Sequence, residues 1–176
     1  MADFEFAIKK ILNAEGGYTN NPADPGGETK FGISKRSYPH IDIKSLTVAQ
    51  AKEIYKNDFW LANKYDQIAN DFIAEQALDL AVNIGPANAN KILQKAYNFL
   101  ANCANELALL SVDGTIGKNS IAAINSFVSY GENAIYLVVI ERLAAEYYNR
   151  LHKPMFVNGW LKRLFENALM EKEGAT

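Results

Sequence analysis

Phe4-Glu5-Phe6-Ala7-Ile8-Lys9-Lys10-Ile11-Leu12-Asn13-Ala14-Glu15-Gly16-Gly17-Tyr18, with the turn-rich run that follows it to Gly32, decides the fold class. Phe4, Ile8, Ile11 and Glu15 recur at steps of four, three and four, which is one face of an α-helix. Gly16-Gly17 supplies the residue that can take positive φ and end that helix. Asn20-Asn21-Pro22, Asp24-Pro25 and Gly26-Gly27 are then stacked turn signals. Thr29-Lys30-Phe31-Gly32-Ile33 alternates weakly and predicts a short strand, half of a small hairpin. It is the one β signal in the sequence.

Everything beyond it reads as helix. Thr47 with Gln50 three residues on is a capping-box signature, opening a helix through Ala51, Ile54, Tyr55 and Phe59 towards Trp60. Asn70 or Asp71 starts the next helix, running from Phe72 to about Ile84, apolar nearly all round and therefore central and buried. Gly85 closes it, and Pro86 suits the first turn of a helix reaching about Asn102. Val112-Asp113-Gly114-Thr115-Ile116-Gly117 predicts a tight turn. Helices follow over 118–128, 132–151 and 157–171, with Pro154 separating the last two. The expectation is a mainly α fold with a short irregular β-hairpin or loop after the first helix.

Composition bounds the function. The chain has 176 residues, 49% hydrophobic and 22% charged, which is globular usage and enough for one real core. Eighteen Lys and Arg against twenty Asp and Glu give a net charge of −2, so there is no basic field for nucleic acid or an anionic membrane. The longest strongly apolar run, 135–140, is far short of the roughly 18 residues of a membrane span. Asp3 and Glu5 stand where an export signal would be basic, so synthesis in the cytoplasm is expected. The single Cys103, beside Leu100, Ala101, Ala104 and Leu107, reads as an inert buried thiol. His40 and His152 are isolated, so no metal site is expected, and no cofactor is implied. Asp113-Gly114-Thr115-Ile116-Gly117 lacks the alternating ligands and terminal Glu of a calcium loop and reads as a turn. Lys35-Arg36 and Lys162-Arg163 read as solvated faces.

Glu15 is the residue that core-building does not explain. Eleven steps of about 100° from Phe4 bring its side chain back to within about 20° of the apolar face. It also sits where exposed carbonyls carry partial negative charge. Both effects favour the protonated carboxyl, the state a general acid needs. The alternative is a rim residue reaching solvent. Asp24 and Thr29 follow on a segment able to fold back over the helix end. A second carboxylate opposite an acid is the arrangement of glycoside hydrolysis, and a hydroxyl could hold the water. Asp24 is equally a turn former before Pro25, and Thr29 equally a strand residue.

Glu15-Gly16-Gly17-Tyr18, then Asn21-Pro22-Ala23-Asp24-Pro25-Gly26-Gly27-Glu28-Thr29-Lys30-Phe31-Gly32-Ile33-Ser34, resembles the signature of glycoside hydrolase family 108, N-acetylmuramidases of the phage endolysin and secretion-associated type. The similarity continues through Leu46-Thr47, Ala51, Tyr55 and Trp60 to Asp79-Leu80-Ala81-Val82-Asn83-Ile84-Gly85. From Leu93-Gln94-Lys95-Ala96 to Gly117 the chain resembles the peptidoglycan-binding-type helical region of the same family. The resemblance implies a lysozyme-like helical fold, with a muramidase region over 1–96 and a C-terminal helical region over 97–176 packed as one unit. It implies Glu15 as catalytic acid. The order Glu15, Asp24, Thr29 also resembles the Glu–Asp–Thr triad of phage-type lysozymes, with the Asp-to-Thr gap one residue shorter.

The expected substrate is peptidoglycan, cut at the β-1,4 bond between N-acetylmuramic acid and N-acetylglucosamine by a monomer. Release to the periplasm or cell wall would need a holin or a dedicated export route. Tyr18, Asn83, Trp60, Tyr147 and Tyr148 are candidates for the groove. Tyr18 reads equally as a core aromatic, Trp60 ends an amphipathic helix and reads first as core, Asn83 shares a helix face with Asp79 and reads in part as a helix cap before Gly85, and one of the adjacent Tyr147 and Tyr148 must turn from the core. A lytic transglycosylase and an inactive peptidoglycan-binding or scaffolding protein are the rival readings.

Overall fold

The computed structural model describes residues 1–14, 17–20, 27–104, 108–129 and 133–150. Its first helix, α1 (Phe4–Ala14), buries Ala7, Ile8 and Ile11 on the face that periodicity selects. Asp3 caps it, its carboxylate accepting from the Glu5 amide at 2.8 Å. Helix α3 (Asp71–Ile84) begins at Asn70, whose side chain accepts from the Ile73 amide at 3.0 Å. All nine residues from Ile73 to Ala81 are buried, the central helix that an all-round apolar pattern predicts. The Asp3 amide donates to Asp71 Oδ1 at 2.7 Å, and Phe6 meets Phe72 edge-on at 5.2 Å. The two helices therefore start together and run side by side with the same polarity. Gly85, at φ +82, turns the chain into α4 (Pro86–Ala104), which packs on α3. Helices α5 (Lys118–Ser129) and α6 (Asn133–Arg150) close the core from the α4 side. Each fully buried Ile or Leu in it contributes about 1.5–3 kcal/mol.

The β element is larger than the sequence suggests. Strands β1 (Thr19–Asn20), β2 (Glu28–Lys30) and β3 (Ile33–Ser34) form an antiparallel sheet in that order. Residues 29–33 are two strands and a turn rather than one strand. Phe31 and Gly32 both take positive φ, 52° and 76°, the pattern of a two-residue type I′ connection. Phe31 is a poor residue for that conformation, and tertiary contacts hold it there. Its carbonyl accepts from Tyr55 Oη at 2.8 Å, and Lys30 Nζ lies 5.4 Å from its ring centroid.

The capping box is present: the Gln50 amide donates to Thr47 Oγ1 and the Thr47 amide to Gln50 Oε1. It opens α2 (Val48–Ile54), which continues without a break as a π-helical segment, Tyr55–Leu61. An α-helix sets residues five apart at about 140° to each other, whereas i→i+5 bonding brings them onto one face. Tyr55 and Trp60, five apart, are both buried. The π geometry satisfies both at once.

Cys103 corrects the expectation of a buried thiol: it is exposed. The buried face of α4 ends on Leu100 and Ala101, and Asn102, Cys103 and Ala104 turn outward at its last turn. Residues 112–117 form the expected inter-helix turn, held against α4. Gln94 Nε2 donates to Asp113 Oδ1 at 2.9 Å, and Gln94 Oε1 accepts from the Gly114 amide at 2.9 Å. Gly114 sits at φ +83, where a Cβ would come within 2.8 Å of the Ala87 carbonyl. The 96/97 division lies inside α4. The helix expected over 157–171 lies outside the described residues.

Candidate functional site

The candidate residues are carried by the sheet, by α3 and by the chain that follows α1. Carrying the Phe6–Phe72 pairing forward at about 1.5 Å per residue brings the end of α1 level with Asp79 and Leu80 on α3. Glu15, the next residue after α1, and Asp24 lie outside the described residues. Thr29 is at the centre of β2, opposite Thr19 on one side and Ser34 on the other. Directly paired residues share a face, so these three hydroxyls line one side of the sheet while Ile33 is buried on the other. Thr29 Oγ1 donates to the Gly27 carbonyl at 3.3 Å. Tyr18 is half-buried and donates its hydroxyl to Glu28 Oε1 at 2.9 Å. That hydrogen bond, then desolvation and the carboxylate charge, raises the Tyr18 pKa, so the phenol stays a donor.

On α3, Glu75, Gln76 and Asp79 are buried polar groups in an otherwise apolar helix. Asn83 Nδ2 donates to the Asp79 carbonyl at 2.7 Å and to Asp79 Oδ1 at 3.2 Å. Asn83 is thus tied to Asp79 one turn back. Asp79 Oδ2 and Gln76 Nε2 are buried and have no hydrogen-bond partner among the described residues. Burial raises the Glu75 pKa; Lys10 opposes the shift and Asp79 adds to it. Polar groups left unpaired in a core cost about 1–3 kcal/mol each, so this stripe is not explained by stability.

Beside the sheet, a cavity of about 400 Å³ opens between β3 and the π-helical segment, with Val82 of α3 also in its lining. Tyr38 donates to Asp58 Oδ2 at 2.8 Å across it. The sequence does not single out Tyr38, Asp58 or Glu28. Glu28 stood inside the quoted loop, and its pairing with Tyr18 needs the sheet register. Asp58 depends on the π geometry, which local pattern does not announce.

The remaining groove candidates are elsewhere. Trp60 is only 2% exposed, packed against Phe4 at 5.7 Å and Tyr65 at 6.2 Å, so it is a core residue and not a groove wall. Tyr148 is buried on α6, which removes it from any groove in the same way; Tyr147 is half-buried, its ring 6.3 Å from Tyr148. Among the described residues no group of three His, Cys, Asp or Glu side chains is placed to hold a metal ion, and no helix is long and apolar enough to cross a membrane.

A helical core with a small three-stranded sheet that follows its first helix in the chain, and a polar, aromatic cleft next to that sheet, is the lysozyme-like architecture. Residues 8–85 match the glycosyl hydrolase 108 family model. The solved structure of Brucella abortus SagA is similar over 93% of this chain and 90% of its own, at 26% identity and a TM-score of 0.72. None of the curated proteins compared with the chain matches it.

Proposed function

We propose that the protein is a peptidoglycan N-acetylmuramidase, hydrolysing the β-1,4 bond between N-acetylmuramic acid and N-acetylglucosamine. The observation that carries the reading is the family match over residues 8–85, the segment that holds Glu15, Asp24, Thr29 and Asn83. Glu15, in its protonated form, gives its proton to the glycosidic oxygen as the bond breaks. Asp24 stabilises the positive charge developing at the sugar carbon or takes the proton of the attacking water, and Thr29 holds that water. Tyr18 and Asn83 contribute to the groove wall, Tyr18 through a phenol already fixed by Glu28. Tyr147, on α6, and the region from residue 97 onward engage the glycan strand outside the cleavage point. The enzyme works as a monomer without metal or cofactor, and reaches the wall through a holin or an export route.

Digestion of purified peptidoglycan by wild type and Glu15→Gln, with mass analysis of the released muropeptides, tests this. Wild type is expected to leave reducing N-acetylmuramic ends, and loss of the acid to slow release by about 10²–10⁴-fold. Anhydro ends would make it a lytic transglycosylase. Wall binding without products from either protein would make it a binding or scaffolding protein.

A further inference from the structure

The cavity between β3 and the π-helical segment contains a complete set of sugar-binding chemistry that the proposed catalytic residues do not use. Tyr38 occupies only one oxygen of Asp58; Oδ1 has no donor among the described residues. Ser37 Oγ accepts from the Ser34 hydroxyl at 3.0 Å, which leaves the Ser37 proton free to donate. Phe59 and Val82 provide apolar surface beside these groups. The cavity's 400 Å³ lies within the roughly 300–1,000 Å³ of small-ligand sites.

Charge narrows the ligand class. Among the described residues no lysine or arginine lines the cavity. The two hairpin lysines nearest in sequence are committed to backbone carbonyls, Lys30 Nζ to Lys44 at 3.0 Å and Lys35 Nζ to Ile41 at 2.8 Å. A phosphate or a peptide carboxylate would find no counter-charge there and would meet the Asp58 carboxylate. A neutral N-acetylhexosamine matches this lining at its acetamido group and its apolar ring face. Asp58 Oδ1 is an acceptor suited to its amide N–H, the Ser37 hydroxyl a donor suited to its amide carbonyl, and Phe59 and Val82 an apolar wall suited to its acetyl methyl and ring C–H.

We propose that this cavity is a subsite for the peptide-free sugar of the glycan, N-acetylglucosamine, with Asp58 as its specificity-determining acceptor and Tyr38 as the residue that positions Asp58. The assignment rests on the glycan-cleaving reading of the neighbouring sheet, and it places the stem-bearing sugar outside this cavity. Burial, then the hydrogen bond to Asp58 and its charge, pushes the Tyr38 pKa up, so the hydroxyl keeps its proton and its hold on the carboxylate.

The test is titration of N,N′,N″-triacetylchitotriose into the full chain carrying Glu15→Gln, by calorimetry and by amide chemical shifts. Adding Asp58→Ala is expected to weaken binding about tenfold or more, the loss of a hydrogen bond to a charged group. Tyr38→Phe is expected to weaken it less, about threefold, because Asp58 remains but is no longer held. Asp58 is exposed, so its variant should melt with the parent, which separates lost binding from lost folding. With Glu15 intact, Asp58→Ala should raise KM on peptidoglycan more than it lowers kcat. Unchanged chitotriose affinity in Asp58→Ala, or no affinity in the parent, overturns the subsite. So does a free stem peptide whose binding Asp58→Ala abolishes. Full activity of Glu15→Gln with chitotriose binding still dependent on Asp58 would overturn the catalytic assignment and leave the subsite standing.

Discussion

Glu75 shows how a single buried charge sets a pH dependence. Its carboxyl is 8% exposed, and burial raises its pKa against the pull of Lys10. At pH values below the ordinary carboxylate range it is protonated in both folded and unfolded chains and carries no penalty. As pH rises the unfolded chain ionises first, so stability is lost until the pH has passed through the raised folded value. Glu75→Gln removes that loss. The variant should match wild type in acid and exceed it at neutral pH by roughly 2–4 °C in melting temperature, what about 1 kcal/mol gives at this size. A variant less stable at neutral pH would mean that the attraction to Lys10 outweighs burial. The sequence hid this residue, because a helix apolar nearly all round offers no face on which a carboxylate stands out. Asp79 and Asn83, four apart, were legible as a pair, and their side chains do meet.

At the scale of elements, what local chemistry specifies was legible and what tertiary contact imposes was not. The box of Thr47 and Gln50 satisfies helix-end groups with residues three apart, and Thr47→Ala should cost about 1 kcal/mol, read as a lowered denaturant midpoint at unchanged slope. An unchanged midpoint would mean that packing alone holds the start of α2. Asn70 and Gly85 mark their helix ends by equally local means. The π-helical segment has no such signature. It follows from the demand that Tyr55 and Trp60 both reach the core, which is visible only once the core exists. The turn at Phe31-Gly32 was missed for a related reason. Local preference argues against phenylalanine at positive φ, and the Tyr55 hydroxyl on its carbonyl overrides that preference. Tyr55 therefore joins the two unforeseen elements, and the cavity assigned to N-acetylglucosamine lies between them.

For the whole molecule, α4 decides whether the chain behaves as one body or two. It runs unbroken through the 96/97 division and packs on both α3 and α6. Near its start Asn90, 3% exposed, ties distant parts of the chain together. Its Oδ1 accepts from Tyr65 Oη at 2.7 Å, and its Nδ2 donates to Asn63 Oδ1 at 2.9 Å and to the Gly114 carbonyl at 3.0 Å. Asn90→Ala leaves the buried Tyr65 hydroxyl and the Gly114 carbonyl without those partners. At about 1–3 kcal/mol for each stranded group, the loss should total roughly 3 kcal/mol. Because the network joins residues 63–65 to residue 114 through α4, that loss should fall on the whole fold. Calorimetry of wild type should give one transition with matching calorimetric and van't Hoff enthalpies, and Asn90→Ala should move that transition down intact. Two transitions, with Asn90→Ala lowering only one, would mean that the two regions fold independently. Cooperative unfolding would make the wall contacts proposed from residue 97 onward and the cleavage proposed beside α1 properties of one rigid body, so that binding the strand at one end would orient it at the other.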